Sequence, residues 1–308
     1  MIVADRLAER TVPVVRLRRI VGMGRALRET GRIGDAEFAA AAEVLREFRR
    51  EMERLGVTRY RACGTACLRE ASNRDDFLRA AAAEGIVVEV IGSGEEARLT
   101  WNGIRTAWNG RDGDLVMDIG GGSVEFAAGP RECDSVSLPV GVVVIGGLLP
   151  ISDPPNPWEL RAVGYYAGCR IEDGTRRFGR RKFRRLIGTA GTFTTLAAME
   201  QGMTRYDPDR INGVVVPAAS VRRWAGRLGE MTDAERLRIP GMEKGRERYI
   251  VYGVLLALAA MRRFRLDAVT VSDAGLLEGI LGGIERNGGT TAWETDRGSR
   301  REEKCRKG

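Results

Sequence analysis

Histidine is absent from all 308 residues. That removes every mechanism that needs an imidazole: His-ligated zinc, Ser-His-Asp or Cys-His nucleophiles, and His-Asp phosphohydrolase centres. Lysine is scarce, at Lys182, Lys244, Lys304 and Lys307 only, so the cationic side chains are nearly all arginine. The five cysteines, Cys63, Cys67, Cys133, Cys169 and Cys305, are odd in number and form no CxxC pair. Neither a zinc site nor a disulfide framework is indicated, and they read as small core residues of a reduced protein. No uncharged apolar run reaches the ~18 residues a membrane helix needs; the most apolar helical stretch, Tyr249 to Met261, is short and sits between arginines. Asp5, Arg6, Glu9 and Arg10 leave no apolar region for a signal peptide, so a cytoplasmic protein is expected. The chemistry that remains must use carboxylates, hydroxyls, backbone amides, arginines and a hard metal ion.

What is present is globular: 43% hydrophobic and 30% charged residues, with only 10 prolines. The length exceeds what single cores usually support, so two domains are expected. Fifty basic against 42 acidic residues give a net charge of +8, which suits a polyanionic partner, although a codon bias toward arginine produces the same excess without function. From Asp35 to Leu55, apolar residues recur at three and four, which predicts an amphipathic helix. Strand, helix, strand and helix signals then alternate to Trp108. Asp114 to Ile119 and Val124 to Ala128 flank three glycines as an antiparallel hairpin, and further helices and strands run to a last helix near Leu276 to Ile284. The rhythm is α/β. The division expected is 1–110, 111–285 and a disordered tail, 286–308, which lacks apolar periodicity.

The strongest local signal is Asp118-Ile-Gly-Gly-Gly-Ser-Val-Glu125. Consecutive glycines let successive backbone N–H groups converge on an anion. Ser123 adds a hydroxyl, and Asp118 at the strand end can hold a Mg²⁺ that bridges phosphate oxygens. It is not a P-loop, because no Lys-Ser/Thr follows, nor a dinucleotide fingerprint, because a strand follows. Leu186-Ile-Gly-Thr-Ala-Gly-Thr192 is a second strand-to-glycine junction whose helix N-terminus could face a phosphate; a plain strand-to-helix turn explains it as well. Gly92-Ser-Gly-Glu-Glu-Ala-Arg-Leu99 puts Glu95 and Glu96 in the first turn of a helix, where the dipole favours them. Adjacent helix positions point about 100° apart. One of the pair can face a cleft and the other solvent, and spacing alone does not say which.

These motifs form an ordered set with Thr65-Ala-Cys-Leu-Arg-Glu-Ala-Ser-Asn73, Ser137-Leu-Pro-Val-Gly141, Pro240-Gly-Met-Glu243 and Val271-Ser-Asp-Ala-Gly-Leu-Leu-Glu-Gly279. The set resembles the exopolyphosphatase and guanosine pentaphosphate phosphatase family over residues 1 to 284. The resemblance implies the two-domain actin, hexokinase and Hsp70-like (ribonuclease H-like) fold with an interdomain cleft. It implies hydrolysis of terminal phosphate from polyphosphate, or alternatively of the 5′ γ-phosphate of guanosine pentaphosphate, with Mg²⁺ or another divalent cation. On this resemblance Glu96 is the general base and Asp118 holds the metal, while Glu125 supports metal or water. Gly120, Gly121, Gly122 and Ser123 cradle phosphate, Arg69 meets it from across the cleft, and Gly188, Thr189, Gly191 and Thr192 line the cleft. The partners implied are polyphosphate or a phosphorylated guanine nucleotide, without a membrane; a homodimer is a further expectation.

Departures from the family pattern accompany the resemblance. Family members begin with a strand and an Asp-x-Gly-Ser/Thr-Asn-Ser hairpin, which this sequence lacks; Met1 to Asp5 reads as the strand that follows it. The expectation is either a start about 15 to 20 residues upstream or an incomplete site belonging to a catalytically impaired phosphate or nucleotide sensor. Val124 stands where the family often has Thr, and Arg248 where it often has Asp. The chain also matches the short members without a C-terminal His-Asp domain. Outside the motifs, Arg176-Arg-Phe-Gly-Arg-Arg-Lys-Phe-Arg-Arg185 packs seven cations into ten residues. It reads as a track for a long polyphosphate, as a nonspecific nucleic-acid patch, or as a solvated helix end.

Overall fold

The structure is a computed structural model and describes residues 1–7, 10–108, 113–129, 134–286 and 291–292. The N-terminal half opens with two antiparallel strands, β1 (Ile2–Leu7) and β2 (Arg10–Arg16), a turn of helix α1 (Leu27–Thr30) and the long helix α2 (Asp35–Arg54). Then come β3 (Arg59–Tyr60), β4 (Ala62–Gly64), α3 (Ala66–Glu70), α4 (Arg74–Ala83), β5 (Val88–Val90) and α5 (Ser93–Trp108). Helix α2 turns Phe38, Ala41 and Leu45 onto a small core with Ile33, Leu68 and Phe77, as its periodicity predicts. Strands β4 and β5 pair in parallel and make the one βαβ unit among the described residues of this half.

The second half begins with the meander β6 (Asp114–Ile119), β7 (Val124–Ala128) and β8 (Asp134–Leu138), followed by α6 (Val142–Leu148) and α7 (Pro157–Gly174). A capping box between Asn156 and Glu159, with Pro157 at the first helical position, starts α7. Next are β9 (Arg185–Thr189), α8 (Ala190–Glu200), α9 (Pro208–Ile211), β10 (Val215–Pro217), α10 (Ala218–Gly229), α11 (Asp233–Arg236), α12 (Ile250–Phe264), β11 (Ala268–Val271) and α13 (Leu276–Arg286). Last, β12 (Thr291–Ala292) pairs antiparallel with β3. Two residues of the expected disordered tail are therefore in a strand; 287–290 and 293–308 lie outside the described residues, as does the expected boundary near residue 110. Helix α6 and strand β10 were not expected from sequence, because Val142–Leu148 has no polar face to reveal a period and Val215–Pro217 is too short to alternate.

A six-stranded sheet in the order β10-β11-β9-β6-β7-β8 organises this half. Strands β11, β9 and β6 are parallel, so their C-terminal ends share one edge. Alternate residues face opposite sides: Val116, Ala127 and Ile187 meet Trp101 and Ile104 of α5, while Leu115, Met117, Phe126 and Leu186 enter the main core with α7, α8 and α12. Helix α5, from the N-terminal half, thus covers one face of the sheet. It is also pressed against α13, where a Cβ on Gly279 would lie 1.8 Å from the Leu99 carbonyl oxygen and one on Gly103 would lie 2.1 Å from that of Gly275. Only glycine permits that approach. Among the described residues no helix is long and apolar enough to cross a membrane.

Candidate active site

Ligands of open α/β sheets sit beyond the carboxyl ends of the parallel strands, and here that edge presents Asp118, Thr189 and Asp273. In the β6–β7 hairpin Asp118 lies directly opposite Glu125, which puts both carboxylates on one face. The four-residue turn is held by its carbonyls: those of Gly120, Gly121 and Gly122 accept from the amides of Val142, Val143 and Gly141. Gly141 must be glycine, since a Cβ there would lie 2.3 Å from the Gly121 oxygen. Gly122 in turn approaches Ala66 of α3, so the loop touches the N-terminal half.

Glu125 is 3% exposed. It accepts from Ser137 Oγ at 2.7 Å and from the Ser123 side chain. Burial, reinforced by the charge of Glu96, pushes its carboxyl up to about 7 against the pull of Ser123, Ser137 and Arg69. Burial, with the charges of Glu125 and Glu96, also raises Asp118 well above the usual carboxylate range. Glu96, in the first turn of α5, accepts from Arg69 Nη1 at 2.7 Å, and the same nitrogen donates to the Ile91 carbonyl at 3.0 Å. Glu95 points elsewhere: its carboxylate takes Arg61 Nη2 at 2.8 Å, and Arg61 also holds Glu89. The two neighbouring glutamates are thereby separated, Glu96 into the cleft and Glu95 toward the outer arginine.

A cavity of about 710 Å³ runs from Glu96, Asp118 and Thr189 out to Tyr206 and Met242. Of the second glycine junction only Thr189 and Ala190 line it. Gly188 is packed on the Phe193 ring, Gly191 lies under the Arg246 guanidinium, and Thr192 is buried against Gly253. Thr189 donates to the Ala274 carbonyl at 2.9 Å, tying the end of β9 to the segment after β11. Burial pushes the thiols of Cys63 and Cys67 up to about 11, so neither supplies a thiolate nucleophile at neutral pH.

The basic run sits at the other edge of the sheet. Arg185 pairs with Asp114 at the start of β6, Arg177 and Arg181 share Asp134, and Arg176 holds Asp173. Phe178 and Phe183 pack with Phe264 in the core. The run thus lies at the opposite ends of β6 and β9 from Asp118, and Arg176, Arg177, Arg181 and Arg185 have carboxylate partners, which supports the reading of a structural, solvated segment over that of a polyphosphate track.

Sequence reasoning missed Ser137 as a partner of Glu125, although the register of β7 with β8 places Ser137 opposite Glu125. It also missed Arg16, Arg18, Tyr206, Glu243, Asp273 and Glu278, which line the outer cavity. They come from four segments, 16–18, 206, 243 and 273–278, and no spacing rule links these segments to one another.

The arrangement is a cleft bordered by a glycine hairpin, the start of α8, and three carboxylates, Asp118 and Glu125 on the mixed sheet and Glu96 on α5. The chain belongs to the Ppx/GppA phosphatase family, whose model matches residues 2–287. It is 32% identical over 274 residues to Exopolyphosphatase 2 of Mycobacterium tuberculosis, covering 85% of this chain and 86% of that protein. Its fold matches an exopolyphosphatase from Cytophaga hutchinsonii with a TM-score of 0.85 at 27% identity, covering 95% of each chain. The Aquifex aeolicus member of the Ppx/GppA family superposes with a TM-score of 0.79 at 27% identity, over 93% of this chain and 94% of that one. The fold is accordingly the two-domain actin-like one.

Proposed function

We propose that the chain hydrolyses the terminal phosphoanhydride bond of inorganic polyphosphate in the cleft between two domains, 1–110 and 111–285. The observation that carries this reading is the convergence of Glu96, Asp118 and Glu125 beside the glycine hairpin, with Glu96 oriented by Arg69. Arg69 occupies Glu96 Oε2, which leaves Oε1 to accept a proton from the attacking water. The water oxygen bonds to the terminal phosphorus, the bridging P–O bond breaks, and its electron pair leaves with the shortened chain. The amides of Gly121 to Ser123, the N-terminus of α8 at Thr189, and Arg69 stabilise the charge on the transferred phosphoryl oxygens, while the Gly120 amide closes the turn on the Ser123 carbonyl and the Ser123 hydroxyl holds Glu125.

Asp118 and Glu125 are strained as a metal-free pair, since two buried carboxylates repel and both are pushed toward protonation. Among the described residues no group of three Asp, Glu, Cys or His side chains is placed to hold a metal ion by itself, so the protein's share of the donors would be Asp118 and Glu125. That donor set fits Mg²⁺, which takes one or two carboxylates and fills its remaining positions with water and phosphate oxygens. When bound, the ion neutralises phosphate charge and polarises the phosphoryl group.

A second reading, guanosine pentaphosphate as substrate, has one observation behind it: the cavity extends past Thr189 to the aromatic ring of Tyr206. Phosphate release from polyphosphate and from guanosine pentaphosphate, each with Mg²⁺ and with EDTA, tests both. Release from neither substrate would leave a sensor. A cytoplasmic location and a homodimer complete the proposal, checked by fractionation and by sedimentation.

A further inference from the structure

Arg16 ends β2, and Arg18 follows two residues on, so both side chains leave the N-terminal half on the same side. They cross the mouth of the cavity. Arg16 Nη1 lies 2.6 Å from Glu278 Oε1 and 3.3 Å from Asp273 Oδ2; Arg18 Nη2 lies 2.7 Å from Glu243 Oε2. The Arg18 guanidinium also stands over the Tyr206 ring, 5.5 Å from its centroid. The outer compartment behind that ring is walled by Thr194, Ala198, Met203 and Met242. An apolar compartment with one aromatic face is the surface on which a nucleobase stacks, and Arg18 covers that face.

The carboxylates that hold the two arginines each have another donor. Glu243 accepts from Arg246 Nε at 2.6 Å, Asp273 from the Tyr206 hydroxyl, and Glu278 from the Gly275 amide at 2.6 Å. Arg18 can therefore exchange Glu243 for phosphate, because Arg246 stays on the same Glu243 oxygen, whereas Arg16 remains the cation of the buried Glu278 Oε1. Arg18 and Glu243 are 44% and 31% exposed, so the pair Arg18 gives up is a weak one.

Resting on the phosphohydrolase reading above, we propose that Arg18, with Arg16 beside it, selects the substrate class. It offers its guanidinium to inner phosphates of an inorganic chain and, by capping Tyr206, denies the ring to a base, so the cavity favours polyphosphate over a nucleoside polyphosphate. A guanidinium is suited to both tasks, being planar enough to lie on a ring and forked enough to grip phosphate oxygens.

Inorganic tripolyphosphate and GTP form a matched pair that differs by the nucleoside. Their Kd values, measured by calorimetry with Mg²⁺ on the full chain carrying Glu96→Gln to slow turnover, should favour tripolyphosphate. Adding Arg18→Ala should weaken tripolyphosphate about tenfold, the order expected for one charged hydrogen bond, and shift the ratio of the two Kd values toward GTP by more than that. Adding Tyr206→Ala as well should abolish the gain for GTP and keep the loss for tripolyphosphate. Arg18→Lys retains the charge without the planar cover and should hold tripolyphosphate near the parent value. An unchanged ratio in Arg18→Ala, or equal weakening of both ligands, overturns the selection. Phosphate release by the chain with Glu96 intact is measured in parallel. Release with an unmoved ratio sinks the selection alone, and a moved ratio without release sinks the hydrolase reading alone. Binding of neither ligand sinks both.

Discussion

Two ends of one sheet carry charge in opposite ways. At the C-terminal edge Asp118 and Glu125 face each other from paired strands, and burial pushes both above the usual carboxylate range. At the N-terminal edge Asp114 and Arg185 also face each other from paired strands, but as partners, with Arg185 Nη2 at 2.6 Å from Asp114 Oδ2. Both ends looked like anion sites in sequence, one through glycines and the other through arginines. The difference teaches that charge density alone does not mark function. A site holds charge that the protein leaves uncompensated, so that a ligand can compensate it.

The largest effect that could break this contrast is expected at the base. Glu96→Gln should lower phosphate release by roughly 10² to 10⁴, the range for a positioned proton acceptor, while Glu95→Gln, whose carboxylate is held by Arg61, should change it little. Steady-state assays of the two variants side by side decide it; the reverse order would reassign the base.

Next in size is the scaffold of the hairpin. Gly141→Ala places a methyl 2.3 Å from the Gly121 oxygen, so the loop must shift, and thermal melting together with activity should both fall. We expect a loss of about 1 to 3 kcal/mol, as for an overpacked site. Full activity with an unchanged Tm would show that the loop geometry is not what the reaction needs.

A pH effect sharpens the comparison. Glu125 titrates at about 7 in the folded chain, above its ordinary value, and Asp118 is raised as well. Between the ordinary carboxylate range and about pH 7, the metal-free folded state therefore binds more protons than the unfolded one, and its stability falls as pH rises through that window. Mg²⁺ binds the deprotonated carboxylates, so the stabilisation it confers should grow over the same window. Melting curves from pH 5 to 8 with Mg²⁺ and with EDTA test this. Asp118→Asn should flatten both trends, and an unaltered Mg²⁺ response in that variant would remove its role as a ligand.

The smallest effect belongs to the basic run. Replacing Arg177, Arg180, Arg181 and Arg184 by Gln should alter kcat/KM for short and long polyphosphate by less than about twofold, since exposed pairs contribute little. A selective loss for long chains would restore the track reading and end the contrast.

Much of the machinery is legible in the sequence because it is local. The apolar period of 35–54 builds α2, and Asn156-Pro157 with Glu159 starts α7. The glycine turn forces the register that sets Asp118 against Glu125. Each rests on hydrogen bonds or packing between residues a few positions apart, where geometry follows from residue type. Other features depend on contacts between distant segments. Glu96 and Glu95 are equivalent until Arg69 and Arg61 arrive from other elements, 27 and 34 residues away. Arg176, Arg177, Arg181 and Arg185 are indistinguishable from part of a polyanion track until Asp173, Asp134 and Asp114 pair with them. Arg18 and Tyr206 meet only because β2 is carried across the mouth of the cavity. Charge compensation is a property of position in space, since a Coulomb interaction depends on separation and burial rather than on chain order. The sequence by itself therefore determined the elements and the chemistry available, and the tertiary structure alone decided which charges were paired and which were left to meet a ligand.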